Sequence, residues 1–243
     1  MRQAAQLIES DALKWLDGCP QPVVFAVDPA DRSTRAALER WLNHHALKAT
    51  IVDQRRPRLS GALNDALDAI RTRYIHWCGA DDQAYWWRYP QVLERIGSRS
   101  PAWMVGRCET RRPNGRPTGA GVYRNMLHPL TRFLLPLTNT VGCPAVIFSR
   151  DLALQAGGFD EATPAAMDYD LWVRLHAVEP PLVLPFALGR FTVHEHSLTQ
   201  ANRRASLEDC YRARRRYFRH AWVANAARGF QAAQFKLQDL LGE

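Results

Sequence analysis

The sequence lacks any pair of cysteines close enough to suggest a shared bridge or metal. Its five, Cys19, Cys78, Cys108, Cys143 and Cys210, are odd in number, widely spaced and without a C-x-x-C. That argues against a disulfide framework or a zinc site and points to a reducing compartment. The first ten residues hold no apolar core and do not read as a secretory signal peptide. No apolar run is long and unbroken enough for a bilayer. The most apolar stretch, 127 to 148, is interrupted by Pro129, Arg132, Pro136 and Pro144. Internal repeats and low-complexity tracts are absent too. These absences lead to the expectation of a cytoplasmic globular protein.

What is present fits that expectation. The chain has 243 residues, 47% of them hydrophobic and 23% charged, with eight Trp and nine Phe to build a core. The formal net charge of +8 is unevenly placed. Residues 200 to 243 carry nine Lys and Arg against four Asp and Glu, a balance of +5, which leaves only +3 for the first 199. We therefore expect a domain over 1–199 and a basic helical extension over 200–243, packed on or beside it. An anionic partner is expected at the extension rather than across the whole fold.

Hydrophobic spacing organises the chain. Ala5, Ile8, Ala12, Trp15 and Leu16 predict a helix that Gly18, Pro20 and Pro22 stop. Val23 to Val27 is a short continuous apolar run, as in a strand buried on both faces, and it ends at Asp28-Pro29. A helix with Ala37, Leu38, Trp41 and Leu42 inward follows, with Ser33 or Thr34 expected as its cap. Residues 49–52 read as a strand, Leu63, Ala66, Leu67 and Ile70 as a helix face, and 74–77 as a strand running into Gly79-Ala80-Asp81-Asp82. Strands alternating with helices imply a doubly wound, mostly parallel sheet, in which ligands collect at the carboxyl ends of the strands. Asp28 and the Asp81-Asp82 pair both fall at such ends. Further on, strands are expected at 102–105 and 145–148, a loop at 111–121, and a helix from Asn125 to Leu137. Another helix should start near Asp168 with Leu171, Trp172 and Leu175 inward. The tail should present Leu207, Tyr211, Phe218 and Trp222 on one face and arginines elsewhere, the pattern of a helix lying on an anionic membrane surface.

Two adjacent carboxylates on a tight turn are costly unless a cation neutralises them. Magnesium or manganese held by one or two carboxylates and completed by phosphate oxygens answers that need. An isolated Asp-Asp is most often an ordinary turn, but the setting here is more specific. Ser60-Gly61-Ala62-Leu63-Asn64-Asp65-Ala66-Leu67, Tyr74-Ile75 and Gly79-Ala80-Asp81-Asp82 together resemble the central block of family 2 glycosyltransferases, which have the GT-A fold. Upstream, Val27-Asp28-Pro29-Ala30-Asp31-Arg32-Ser33-Thr34 resembles that family's V-D-x-G-S-T-D-G-T segment. Downstream, Gly157-Gly158-Phe159-Asp160 and Met167-Asp168-Tyr169-Asp170-Leu171-Trp172-Val173-Arg174-Leu175 are similar to its G-G-F-D and D-Y-D-L-W-x-R-L blocks. Arg190 to His194, then Ser197, resembles its R-x-x-x-H…S ending. Each block alone is weak; the ordered set, over roughly residues 5 to 200, is specific.

The resemblance implies an α/β, GT-A-like fold and an inverting, metal-dependent sugar transfer from a nucleotide-diphosphate donor. The acceptor would be a saccharide or lipid-linked hydroxyl of the cell envelope or an exopolysaccharide. By the same resemblance Asp28, Asn64 and Asp81 would contact the nucleotide-sugar, Asp82 and His194 the metal, and Asp168 would be the general base. Single displacement needs one such base on the acceptor face. Asp170 is expected to cap or brace the helix instead. His194-Glu195-His196 has no further ligands at zinc spacing. The arginines at 212, 214, 215, 216 and 219 are expected to form a solvated helix face.

Several departures bear on activity. The chain opens inside the helix that follows the family's first strand, and Arg55-Arg56-Pro57-Arg58 replaces the usual Asp-x-Gly. Gly79 stands where D-x-D-D begins with Asp. A second reading is therefore a catalytically impaired relative serving as scaffold or partner subunit. A nucleic-acid-binding protein ranks last, because the basicity is confined largely to one helix rather than interleaved with aromatics across a sheet.

Overall fold

The structure, a computed structural model, describes residues 4–112, 114–193, 203–218 and 220–240. It opens on helix α1 (Ala5–Glu9), which stops where Asp11 adopts φ 61° and resumes as a 3-10 turn over Lys14–Leu16. The single helix expected there is thus two pieces, although Ile8 and Leu16 are both buried as their spacing requires. Strand β1 (Val23–Val27) pairs in parallel with β2 (Ala49–Asp53), from Val23 opposite Ala49 to Val27 opposite Asp53. Helix α2 (Arg32–His44) crosses between them and buries Ala37, Leu38 and Trp41 against Phe25 and Val27. Its cap is Asp31, whose carboxylate accepts the N–H of Thr34, rather than Ser33 or Thr34 themselves. The Thr34 hydroxyl faces inward and accepts the N–H of Ala4, tying α1 to α2.

Helix α3 (Arg58–Ala69) leads to β3 (Tyr74–His76), then the acidic turn, β4 (Gln83–Ala84) and α4 (Tyr89–Ile96). Next come β5 (Trp103–Arg111), α5 (Gly119–Leu127), α6 (Thr131–Leu134), β6 (Val146–Ser149), α7 (Arg150–Gln155), α8 (Met167–Val178) and β7 (Leu182–Thr192). Helices α9 (Arg203–Tyr217) and α10 (Ala221–Leu240) close the chain.

The mostly parallel sheet expected from the alternation is corrected. Five strands form a mixed sheet in the order β3-β6-β5-β7-β4, in which only β5 and β7 run parallel. The chain reverses through α5, α6 and a 3-10 turn at Cys143–Ala145, so β6 enters between β3 and β5 antiparallel to both. Among the described residues, β1 and β2 form a separate two-stranded ladder. The helix expected over Asn125–Leu137 is also redrawn. It begins at Gly119, where the Thr118 hydroxyl caps the N–H of Gly121, and Pro129 sits in a 3-10 turn (His128–Leu130) leading to α6.

The main core packs Trp103 of β5 against Trp172 of α8, stacked at 5.8 Å, with Phe148, Phe159, Leu135 and Tyr169 around them. Cys210 and Ala213 of α9 belong to this same core. The tail face expected to be apolar is therefore not the one that forms. Leu207, Tyr211 and Phe218 are half-buried and Trp222 is exposed, while Ser206, Asp209, Cys210, Ala213 and Arg214 point inward. Arg214 is fully buried: its Nε donates to the Tyr169 hydroxyl at 3.1 Å, and its guanidinium lies over the Tyr169 ring. Its Nη1 and Nη2 have no hydrogen-bond partner among the described residues. Arg216 stays on the exposed face but binds Asp160 and Asp170 from there. Among the described residues no helix is long and apolar enough to cross a membrane.

Candidate active site

Strand β3 delivers the chain to the acidic turn, and its last residue is locked by hydrogen bonding. The half-buried ring of His76 lies 3.0 Å from both the Pro144 carbonyl and the Tyr89 hydroxyl. Burial lowers its pKa to about 4, so the ring is neutral. A carbonyl can only accept, so Nε2 donates to Pro144 and Nδ1 accepts from Tyr89.

Beyond it the chain turns through Gly79 to Asp82, closed by the Asp82 N–H donating to the Gly79 carbonyl at 3.3 Å. A Cβ at position 79 would lie 2.7 Å from Asp81 Oδ1 and 3.1 Å from Asp82 Oδ2. Both carboxylates thus fold over the same glycine. Asp82 is 3% exposed, and its Oδ1 accepts the N–H of Thr192 at 2.8 Å, which ties the turn to the end of β7. Burial, then the neighbouring Asp81 charge, pushes the Asp82 carboxyl up to about 8. Two close hard oxygen donors, one of them disfavoured as a bare anion, suit a divalent cation that brings its own phosphate ligands. Among the described residues no three His, Cys, Asp or Glu side chains form a complete metal cage. His194, the other expected ligand, lies outside the described residues.

Asp168 stands in the first turn of α8. Withdrawal from water raises its carboxyl above the ordinary range, against the opposing pull of the Tyr169 N–H at 2.7 Å and the Arg124 charge. The helix that carries it is braced as expected. Asp170, buried, accepts from Arg174 Nε at 2.8 Å, and Arg174 reaches on to the carbonyls of Ala156 and Gly158. Those carbonyls belong to the turn through Gly157 and Gly158, whose φ values of 91° and 70° suit glycine. Asn64 holds the other side of this turn. Its Oδ1 accepts the Phe159 N–H at 2.8 Å and its Nδ2 donates to the Phe159 carbonyl at 2.9 Å. Both polar atoms of the Asn64 amide are thus engaged in clamping the turn at Phe159.

Three thiols lie within electrostatic reach of Asp82, and sequence reading missed them. Cys78 follows β3, Cys108 lies on β5 and Cys143 opens the 3-10 turn before β6, so three neighbouring strands bring them together. Burial, then the charge of Asp82, lifts the Cys78 and Cys143 thiols well above the ordinary thiol range. The charge of Asp168 adds to the shift at Cys143. Cys108 is pushed up to about 12 by burial, against the pull of Arg124. All three are neutral thiols at physiological pH, forming an uncharged floor. Sequence separations of thirty residues and more hid the cluster, and the only local signal was Cys78 beside Gly79. Gly189 of β7 sets the position of this floor. It pairs with Cys108 and Ala84, and a Cβ there would lie 1.8 Å from the Pro144 carbonyl.

Asp28 caps its own turn at the end of β1, accepting the Ala30 N–H at 2.9 Å. In the Arg55-Arg56 loop, the main-chain N–H groups of both arginines donate to the buried Asp65. Their guanidinium groups lie near Asp65 and Asp68, so these arginines are partnered within the chain.

No family model matches the sequence, and no curated protein matches it. The fold, however, is shared with solved glycosyltransferase structures. The mannosyltransferase PcManGT from Pyrobaculum calidifontis, in complex with GDP-Man and Mn2+, superposes with a TM-score of 0.67 at 17% identity, covering 100% of this chain and 74% of that one. S. aureus TarS 1-349 in complex with UDP-GlcNAc gives 0.62 at 17% identity, covering 88% of this chain and 62% of that one. Another structure of TarS 1-349 gives 0.60 at 14% identity, covering 100% and 90%. At these identities the likeness is one of fold.

Proposed function

We propose that the chain is an inverting glycosyltransferase, moving a sugar from a nucleotide-diphosphate donor to a hydroxyl of a saccharide or lipid-linked acceptor. The observation that carries this reading is the acidic turn after β3, where two carboxylates fold over one glycine. Asp82 is buried and tied to the end of β7, and Asp168 stands in the first turn of α8. Fold likeness to structures that hold GDP-Man and UDP-GlcNAc supports the donor class.

In this reading Asp168 accepts the proton of the acceptor hydroxyl. The freed oxygen forms its bond to the anomeric carbon as the bond from that carbon to the phosphate oxygen breaks, and the nucleoside diphosphate leaves from the opposite face. A carboxyl raised by withdrawal from water is a stronger base than an ordinary one, which suits the role. Asp82 and Asp81 would hold a divalent ion, with His194 as a further ligand; when bound, that ion supplies Lewis-acid neutralisation of the diphosphate. Asp28 would contact the nucleoside. Asn64 acts at one remove, by fixing the turn that supports α8.

The test is calorimetry of a panel of nucleotide sugars with manganese present, followed by turnover of the donor that binds. Asp82→Ala should weaken donor binding by about tenfold or more. Asp168→Asn should bind donor normally but lose about 10²- to 10⁴-fold in turnover. If no nucleotide sugar binds, or if Asp82→Ala binds as well as the parent, the reading fails.

A further inference from the structure

Helices α5 and α6 and the turn between them expose an apolar stripe. Val122, Tyr123, Met126, Leu130, Phe133 and Leu137 recur at three- and four-residue spacing, and each is between 39% and 74% exposed. The opposite face of the same segment is already satisfied. His128, Thr131, Leu135 and Thr138 are buried, and the His128 ring bonds the Leu184 carbonyl. The stripe is therefore not the core-facing side of the segment, and water exposure of so continuous a row is unfavourable.

The charge around it selects the partner. From 110 to 149 the sequence holds Arg111, Arg112, Arg116, Arg124 and Arg132 and no Asp or Glu. Arg116 and Arg132 are exposed, and the Arg132 guanidinium lies over the ring of Phe133 within the stripe. Arg111 is paired with Glu109, but Arg116 and Arg132 stand exposed on a segment without a carboxylate. An apolar row with such cations complements an anionic lipid bilayer, where side chains enter the acyl boundary and guanidinium groups meet phosphate.

We infer that α5 and α6 form a membrane-docking surface for anionic phospholipid. The surface lies beside the candidate site: Asn125 donates to the Cys108 carbonyl at 3.0 Å, and the neighbouring Arg124 acts on Asp168. Docking through this face sets the Asp168 side of the site near the lipid boundary. Resting on the proposed function, this makes the acceptor lipid-linked.

The test is flotation of the full chain with phosphatidylcholine vesicles, with and without phosphatidylglycerol. The chain should float with the anionic vesicles, and salt should weaken the binding. Met126→Asp combined with Phe133→Asp should lower binding by about tenfold or more. Trp222→Asp, on the exposed face of α10, should leave it within about twofold. Both altered positions are exposed, so the thermal melt of the double variant should match the parent. Absence of flotation, or flotation unchanged in the double variant, overturns the inference. So does a self-association that the same double variant abolishes without any vesicle binding, which would make the stripe a contact between two copies. Flotation does not read sugar transfer, so its failure leaves the donor-binding result intact, and the reverse holds too.

Discussion

Helix α9 carries eight charged side chains in fifteen residues, whereas Gly119 to Leu134 carries only two. By composition the first belongs in water and the second in the core. The structure places parts of each the other way round. Arg214 of α9 is fully buried and Arg216 binds buried Asp170, while Met126 and Phe133 are 74% and 67% exposed. The difference lies in what each neighbour offers. Helix α8 presents a ring and a hydroxyl at Tyr169 and a carboxylate at Asp170, which together can receive flat, weakly hydrated guanidinium groups. The α5–α6 segment needs only one of its two apolar faces to complete the core. Burial follows the partner as much as the side chain.

The sharpest test of this contrast uses two leucines five positions apart. Leu135 is fully buried and Leu130 is half exposed. Leu135→Ala should cost about 2–5 kcal/mol in urea unfolding, and Leu130→Ala should stay within about 0.5 kcal/mol. Equal losses would show that the outer stripe packs as core. A smaller effect is expected at Arg214. Arg214→Met keeps the volume and removes a buried charge with two unpartnered nitrogens, so stability should hold or rise by about 1 kcal/mol. A clear loss would mean that the guanidinium is satisfied where it lies. The smallest effect concerns Arg216 and acid. Burial tends to raise the Asp160 carboxyl, but the Ala162 N–H and the Arg216 guanidinium outweigh it and hold the carboxyl below its ordinary range. The unfolded chain therefore binds the extra proton first. This contribution is complete above the ordinary carboxylate range and is lost as pH falls through the lowered value. Arg216→Gln should flatten the fall in stability below about pH 4. An unchanged slope would exclude the pair as its source.

Much of the first half was legible because its signals are local. The apolar run at Val23–Val27, the inward face of α2 and the strand at Ala49–Asp53 all form where spacing places them. The break at Asp11 and the cap at Asp31 were missed because one backbone dihedral and one side-chain rotation decide them. The mixed sheet was illegible for a different reason. A short apolar run has the same spacing whether it pairs parallel or antiparallel, and the placement of β6 depends on a reversal dozens of residues long. At the candidate site the acidic turn and Asp168 could be singled out, since adjacent residue types carry the signal. Asn64 could not be assigned its partner, which lies ninety-five positions away at Phe159. The burial of Arg214 was hidden in the same way, because Tyr169 is remote in sequence.

Gly189 has a consequence for how this site can diverge. Its missing side chain lets β7 meet the Pro144 carbonyl main chain to main chain, within the ladder that holds Cys108 and beside Gln83, the residue after Asp82. The approach of β7 to Pro144 and to the strand after the acidic turn is therefore fixed by backbone, and even a methyl group at 189 would have to push them apart. Descendants of this chain can change what the site recognises by altering its walls, but hardly its span. A directed-evolution library would do best to hold Gly189 constant and spend its diversity around the rim.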